Sequence, residues 1–130
     1  MSRIMVTEDS ASIRLLLRRR LEMAGHEVIE ARDGDDAIQR LESLEPDAYP
    51  DLMLLDAMMP RRSGAEVLKL VKAHLPETPV LVVSAVSDLD LSEEWSEADG
   101  YLDKPIDFGE LLARISLLTG GQPRPGSRSP

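Results

Sequence analysis

The stretch Asp51-Leu52-Met53-Leu54-Leu55-Asp56-Ala57-Met58-Met59-Pro60 decides the fold. An apolar run stops at a carboxylate, and Met-Met-Pro follows shortly after. Apolar side chains on both faces suit a strand buried on both sides of a parallel sheet. Asp56 would then sit at the C-terminal edge of that sheet, where open α/β folds bind ligands. Taken alone, an aspartate at this place merely ends a strand and begins a turn. The acids, hydroxyl and lysine found elsewhere in the chain change that reading.

Working outward, Ile4-Met5-Val6-Thr7 reads as a second buried strand, closed by Glu8-Asp9-Ser10, whose Asp9 or Ser10 can cap a helix. In that helix Ile13, Leu16, Leu17, Leu21 and Ala24 fall on one face, while Leu15 points the other way and should be exposed. Gly25 is a natural helix stop. His26 to Ala31 is a strand followed by a turn at Asp33-Gly34, and Ala37, Ile38, Leu41 and Leu44 mark the next helix. Beyond the central strand, Val67, Leu68, Leu70, Val71 and Leu75 mark a third helix, and Val80 to Ser84 a fourth strand.

The segment from Ala85 to Asp99 is acidic, and Leu89, Leu91 and Trp95 offer it few apolar contacts, so a fourth helix there should be short and weakly held. Tyr101-Leu102-Asp103 is a brief fifth strand ending at Lys104-Pro105. A last helix runs from about Asp107 to Thr119, with Leu111, Leu112, Ile115 and Leu118 inward. Residues 1–119 form one domain on this reading. Residues 120–130, rich in Gly, Pro and Ser, read as a disordered tail or the stub of a linker. Five strands alternating with five helices imply a parallel sheet covered on both faces.

With 42% hydrophobic residues, the 130-residue chain can bury one core. No run approaches the ~20 apolar residues that cross a bilayer, and the N-terminus has no signal-peptide pattern. The absence of cysteine excludes disulfides and thiolate metal sites and fits a cytoplasmic protein. A net charge of −9 argues against a nucleic-acid-binding surface, and Arg18-Arg19-Arg20 reads as a solvated flank. His26 and His74 show no metal-ligand spacing and read as ordinary surface residues.

In a parallel sheet all C-terminal strand ends lie together, so Glu8, Asp9, Asp56, Ser84 and Lys104 converge. Crowded carboxylates raise one another's pKa, and a hard divalent cation relieves this. Oxygen donors alone favour Mg²⁺, or Mn²⁺, over zinc. With a lysine and a hydroxyl added, the edge becomes a phosphoryl site. Asp56 is the candidate nucleophile, Glu8 and Asp9 the metal binders, Lys104 the phosphate counter-charge, and Ser84 a hydroxyl in reach. Singly, each has a bland role as cap, strand end or surface lysine.

These motifs together resemble the receiver domain of two-component response regulators (CheY-like) over residues 3 to 119. The carrying segments are Ile4 to Ser10, Leu54 to Pro60 with Gly64, Val82 to Ala85, and Tyr101 to Pro105. The resemblance implies a flavodoxin-like, doubly wound (βα)5 sandwich with a five-stranded parallel sheet in the order 2-1-3-4-5, a fold for which receiver domains are a standard example. It implies that Asp56 accepts a phosphoryl group from a sensor histidine kinase or a histidine phosphotransfer protein. Asp9 and Asp56 would hold Mg²⁺ directly, Glu8 through water, and the backbone carbonyl of Met58 would complete the shell. Lys104 would pair with the phosphoryl group, Ser84 would swing towards it, and Tyr101 would turn inward. Lys104-Pro105 would be cis. Output to a downstream protein target would use the face of the fourth helix, fifth strand and fifth helix, with homodimer formation left open. Arg14, Leu15 and Arg18 would dock the kinase.

Lys104 follows Ser84 by twenty residues, a shorter spacing than the resemblance implies, and the shortfall falls on the acidic fourth-helix segment. Met58 and Val86 cannot orient a hydrolytic water, so self-dephosphorylation should be slow. Three rival readings exist. A magnesium-dependent phosphatase would want an acid where Met58 stands. A flavin carrier would want more aromatics and fewer acids. A phosphorylation-independent receiver-like interaction module is the remaining alternative. The chain could be a stand-alone receiver or the first domain of a longer regulator.

Overall fold

The computed structural model describes residues 2–57, 59, 64–84 and 95–120. Five short strands, β1 (Arg3–Thr7), β2 (Glu27–Ala31), β3 (Leu52–Asp56), β4 (Val80–Ser84) and β5 (Gly100–Asp103), build one sheet in the order β2-β1-β3-β4-β5. Every pairing is parallel, with Val6 beside Leu54, Asp56 beside Val83, and Ser84 beside Asp103. This is the order that the resemblance implies. Between the strands run α1 (Ala11–Met23), α2 (Gly34–Ser43), a 3-10 turn at Pro46–Ala48, α3 (Gly64–His74) and α4 (Phe108–Thr119). α4 is the last helix expected from the sequence. The expected fourth helix, with Leu89 and Leu91, lies largely outside the described residues, as do Met58, Val86 and residues 121–130.

Alternation along the strands splits the core into two layers. Met5, Met53, Leu55, Val80 and Val82 pack with Ala37, Leu41, Val67, Leu68 and Val71, the face of α2 and α3. Ile4, Val6, Leu52, Leu54, Leu81 and Val83 pack with Leu17, Leu21, Leu111 and Ile115, the face of α1 and α4. Every residue of β3 is buried. At about 1.5–3 kcal/mol per fully buried leucine, β3 is held firmly enough to fix the position of the aspartate at its end.

Local signals set the helix ends. Ser10 caps α1 through its hydroxyl, which accepts from Ile13 N–H. At the other end Gly25, at φ 95°, donates to Glu22 O while His26 N–H reaches back to Leu21 O. This pair of bonds satisfies carbonyls that the last turn leaves open. Asp33 caps α2 and accepts from Asp36 N–H at 2.8 Å, so the helix begins at Gly34 and not after a separate turn.

Several expectations need correction. In α1 only Leu17 and Leu21 are buried, whereas Ile13 and Leu16 are 40% and 50% exposed. The helix docks on a narrower stripe than its apolar periodicity suggests, and Ile13 and Leu16 instead line a groove of about 260 Å³ with Pro105, Ile106 and Phe108. Trp95 is a core residue, buried beside Val80 and Val82, and not a marginal contact. Asp99, the last acid of the acidic segment, is paired. Its Oδ2 accepts from Lys72 Nζ at 2.7 Å and from Val80 N–H at 2.8 Å, fastening the start of β4.

His26 is likewise more than a surface residue. It is half-buried, and its Nδ1 accepts from Ser2 N–H at 3.0 Å. Burial pushes its pKa below the ordinary value. A folded-state pKa lower than the unfolded one makes protonation favour unfolding. The stabilisation is therefore complete above pH 6.5 and fades as pH falls below it. Unfolding titrations should show the stability advantage of the wild type over His26→Asn shrinking between pH 7 and 5.5. A constant difference would contradict this role.

Gly64 opens α3 against the end of β3. A Cβ placed there would lie 2.8 Å from Ala57 O and 2.9 Å from Asp56 O. Backbone atoms cannot yield as a flexible side chain can, so Gly64→Ala should destabilise by about 1–3 kcal/mol. The check is the urea midpoint, and an unchanged midpoint would exclude the close approach.

Candidate functional site

At the C-terminal edge of the sheet the predicted residues come together. Asp56 ends β3 with its side chain only 3% exposed, and Lys104, just past β5, donates from Nζ to Asp56 Oδ1 at 3.2 Å. Ser84 ends β4 and is fully buried. Its carbonyl accepts from Lys104 N–H at 2.8 Å, which fixes where the lysine leaves the sheet. The Lys104-Pro105 peptide is cis, as the resemblance implies.

Glu8 and Asp9 follow β1. Glu8 is buried, Asp9 exposed. The turn is held by Glu8 N–H donating to Ala31 O at 3.1 Å, and by Ser10 N–H donating to Glu8 Oε2 at 3.0 Å. Carboxylate oxygens of Glu8, Asp9 and Asp56 all lie within 4.8 Å of one another. Burial pushes the Glu8 carboxyl up to about 7. The Asp56 charge and a hydrogen bond with Asp9 add to that rise, while the Ser10 N–H and Lys104 oppose it. Among the described residues one ammonium, that of Lys104, faces the three carboxylates.

Oxygen donors without sulfur or imidazole fit a hard divalent cation such as Mg²⁺, which takes carboxylates and water. Met58, whose carbonyl was expected to complete such a shell, lies outside the described residues. The described residues otherwise bring together a buried carboxylate bonded to a lysine, two further acids of the kind that fit a cation, and a serine at the neighbouring strand end.

Tyr101 lies away from this cluster, in the middle of β5. Its hydroxyl donates to Trp95 O at 2.6 Å, and its own carbonyl accepts from Arg114 Nη1 of α4 at 3.1 Å. The partners of Glu8 N–H and of the Tyr101 hydroxyl are backbone carbonyls, which carry no signal in residue type. Of the three residues expected to dock a kinase, Leu15 is 45% exposed. Arg18 pairs with Glu22 and Glu30, and Arg14 pairs with Glu30.

Comparison with known proteins agrees with this geometry. The family model described as "Response regulator receiver domain" matches residues 4–116. Transcriptional regulatory protein DltR of Streptococcus agalactiae is 42% identical over 124 residues, covering 90% of this chain and 51% of its own length. Transcriptional regulatory protein CpxR of Escherichia coli is 41% identical over 121 residues, covering 91% and 49%. The chain thus spans about half the length of the curated relatives it matches. Among solved structures, response regulator protein TrrA from Thermotoga maritima, in complex with Mg(2+)-BeF, superposes with a TM-score of 0.82 at 31% identity, covering 91% of this chain and 99% of that one. Chemotaxis protein CheY4 of Vibrio cholerae gives 0.81 at 29% identity, with coverage of 91% and 98%. Family model, curated relatives and fold agree along almost the whole described chain: it belongs to the response regulator receiver domains of two-component signalling.

Proposed function

We propose that this domain accepts a phosphoryl group on Asp56 from the phosphohistidine of a sensor histidine kinase or a histidine phosphotransfer protein. The observation that carries the reading is the buried Asp56 carboxylate, 3.2 Å from Lys104 Nζ and crowded by Glu8 and Asp9. In the transfer an Asp56 oxygen attacks phosphorus, the new P–O bond forms as the P–N bond breaks, and the histidine imidazole leaves. Most of the catalysis is positioning and charge stabilisation. Lys104 already holds one Asp56 oxygen and would follow negative charge onto the phosphoryl group. The Ser84 hydroxyl lies at the neighbouring strand end, where it would reach a phosphoryl oxygen.

Mg²⁺, with Mn²⁺ as a substitute, would be held by Glu8, Asp9, Asp56 and the Met58 carbonyl, and would supply positive charge to the phosphoryl oxygens. Those same residues otherwise repel each other. Because the domain acts on its own side chain, it is a signalling acceptor and not a turnover enzyme. We assign the receiver to residues 1–119 and a tail or linker to 120–130, and place the protein in the cytoplasm. Among the described residues no helix is long and apolar enough to cross a membrane.

Output would pass to a protein target through the face of the expected fourth helix, β5 and α4. Tyr101 is tied to both flanks of that face, which supports a role as the switch. Phosphorylation would then shift the balance between two arrangements of this face. Leu15 and Arg18 would contact the kinase. A nucleic-acid contact is not assigned to this domain, whose net charge is −9.

Incubation with Mg²⁺ and acetyl phosphate should add about 80 Da to the intact mass, as one acyl phosphate requires. The adduct should need Mg²⁺ and be absent from Asp56→Asn. Wild type that stays unmodified with both acetyl phosphate and a purified phosphorylated kinase would refute the reading.

A further inference from the structure

Arg14 sits on the first turn of α1, its own N–H bonded to Ser10 O, directly after the Glu8-Asp9 turn. Its guanidinium is turned inward, with the side chain only 17% exposed. Nε donates to Glu30 Oε1 at 3.0 Å, and Nη1 donates to the carbonyl oxygen of Glu8 at 2.7 Å. Glu30, at the end of β2, is held from its other side by Arg18. The backbone of Glu8 is thus fastened at both of its polar groups, by Ala31 O at its N–H and by Arg14 at its carbonyl.

We infer that Arg14 is a positioning residue for the cation site: its guanidinium, aimed by Glu30, holds the Glu8-Asp9 turn so that both carboxylates face Asp56. This rests on the proposed function, which takes Glu8 and Asp9 to hold the cation. A flat fork is needed because two acceptors, Glu30 Oε1 and Glu8 O, are served at once by neighbouring nitrogens of one group. A lysine ammonium can reach either acceptor but lacks that fork. With Nε and Nη1 bonded to Glu30 and to Glu8 O, Arg14 differs from exposed Leu15 as a candidate for partner contact. Groups that orient metal ligands from behind typically matter by ten- to a hundred-fold in metal affinity.

The test is Mg²⁺ affinity of the intact domain by calorimetry, paired with thermal unfolding without metal. Arg14→Ala should weaken Mg²⁺ binding at least about ten-fold, Arg14→Lys should fall between it and wild type, and Glu30→Gln should weaken binding in the same direction. Arg40→Ala is the charge control. It removes a guanidinium from the same polar pocket, lined by Arg14, Glu30, Arg32, Asp36 and Arg40, without touching Glu8. It should leave affinity within two-fold.

If Arg14→Ala also unfolds easily, Glu30→Gln and Arg14→Lys decide, since the first is isosteric and the second keeps the charge and most of the side chain. Unchanged affinity in Arg14→Ala, or an equal loss in Arg40→Ala, overturns the inference while leaving the phosphoryl-acceptor reading intact. Wild type that binds no Mg²⁺ removes the inference and the metal reading together. A loss of transfer from a kinase with normal Mg²⁺ affinity and normal labelling by acetyl phosphate would make Arg14 a docking residue instead, and would also overturn it.

Discussion

Three carboxylates at one sheet edge, faced among the described residues by the one ammonium of Lys104, are the constraint around which the rest of this structure is arranged. Like charges at this separation destabilise one another, and burial of Glu8 and Asp56 adds a desolvation cost. The fold must therefore hold these groups together against their own repulsion. It does so with β3, buried along its whole length, and with backbone bonds that tie the Glu8 turn to the end of β2. Lys104 supplies part of the missing charge, aimed by a bond from its own N–H to Ser84 O. Glu8 responds by holding its proton up to about pH 7. A site strained in this way has a natural use, since a cation or a changed charge on Asp56 alters the balance of every group in it.

β4 and β5 carry this edge on towards α4. Ser84 and Lys104 belong to neighbouring strand ends, and Tyr101 lies three residues before the lysine. The Tyr101 hydroxyl is bound to Trp95 O within the acidic segment, and its carbonyl to α4 through Arg114. The buried indole of Trp95 anchors that segment in the core.

Much of this was legible in the order of residues. Continuous apolar runs identified the parallel strands, and strand ends in such a sheet share an edge. Glu8, Asp9, Asp56, Ser84 and Lys104 could be brought together on that ground alone. What failed had physical reasons. The apolar periodicity of α1 counts Ile13 and Leu16 as inward, yet the stripe that meets the sheet is narrower, and a groove beside Pro105 takes them instead. Trp95 lies in a polar, acidic neighbourhood, so local composition hid a residue that joins the core layer of α2 and α3. Asp99 looked like one more surface acid because its partner, Lys72, sits on another element. Bonds to backbone carbonyls, such as those of Ala31, Ser84 and Trp95, leave no trace in residue type.

The central claim is that the crowded carboxylates form a cation site whose occupancy competes with a proton on Glu8. Calorimetric titration with Mg²⁺ between pH 6 and 8, in buffers of different ionisation enthalpy, tests it directly. At pH 6 Glu8 is mostly protonated, so binding should be weaker and should release close to one proton per ion. As pH rises through about 7 the affinity should increase and the proton release should vanish. Affinity that stays constant across this range, with no proton released, would contradict the account.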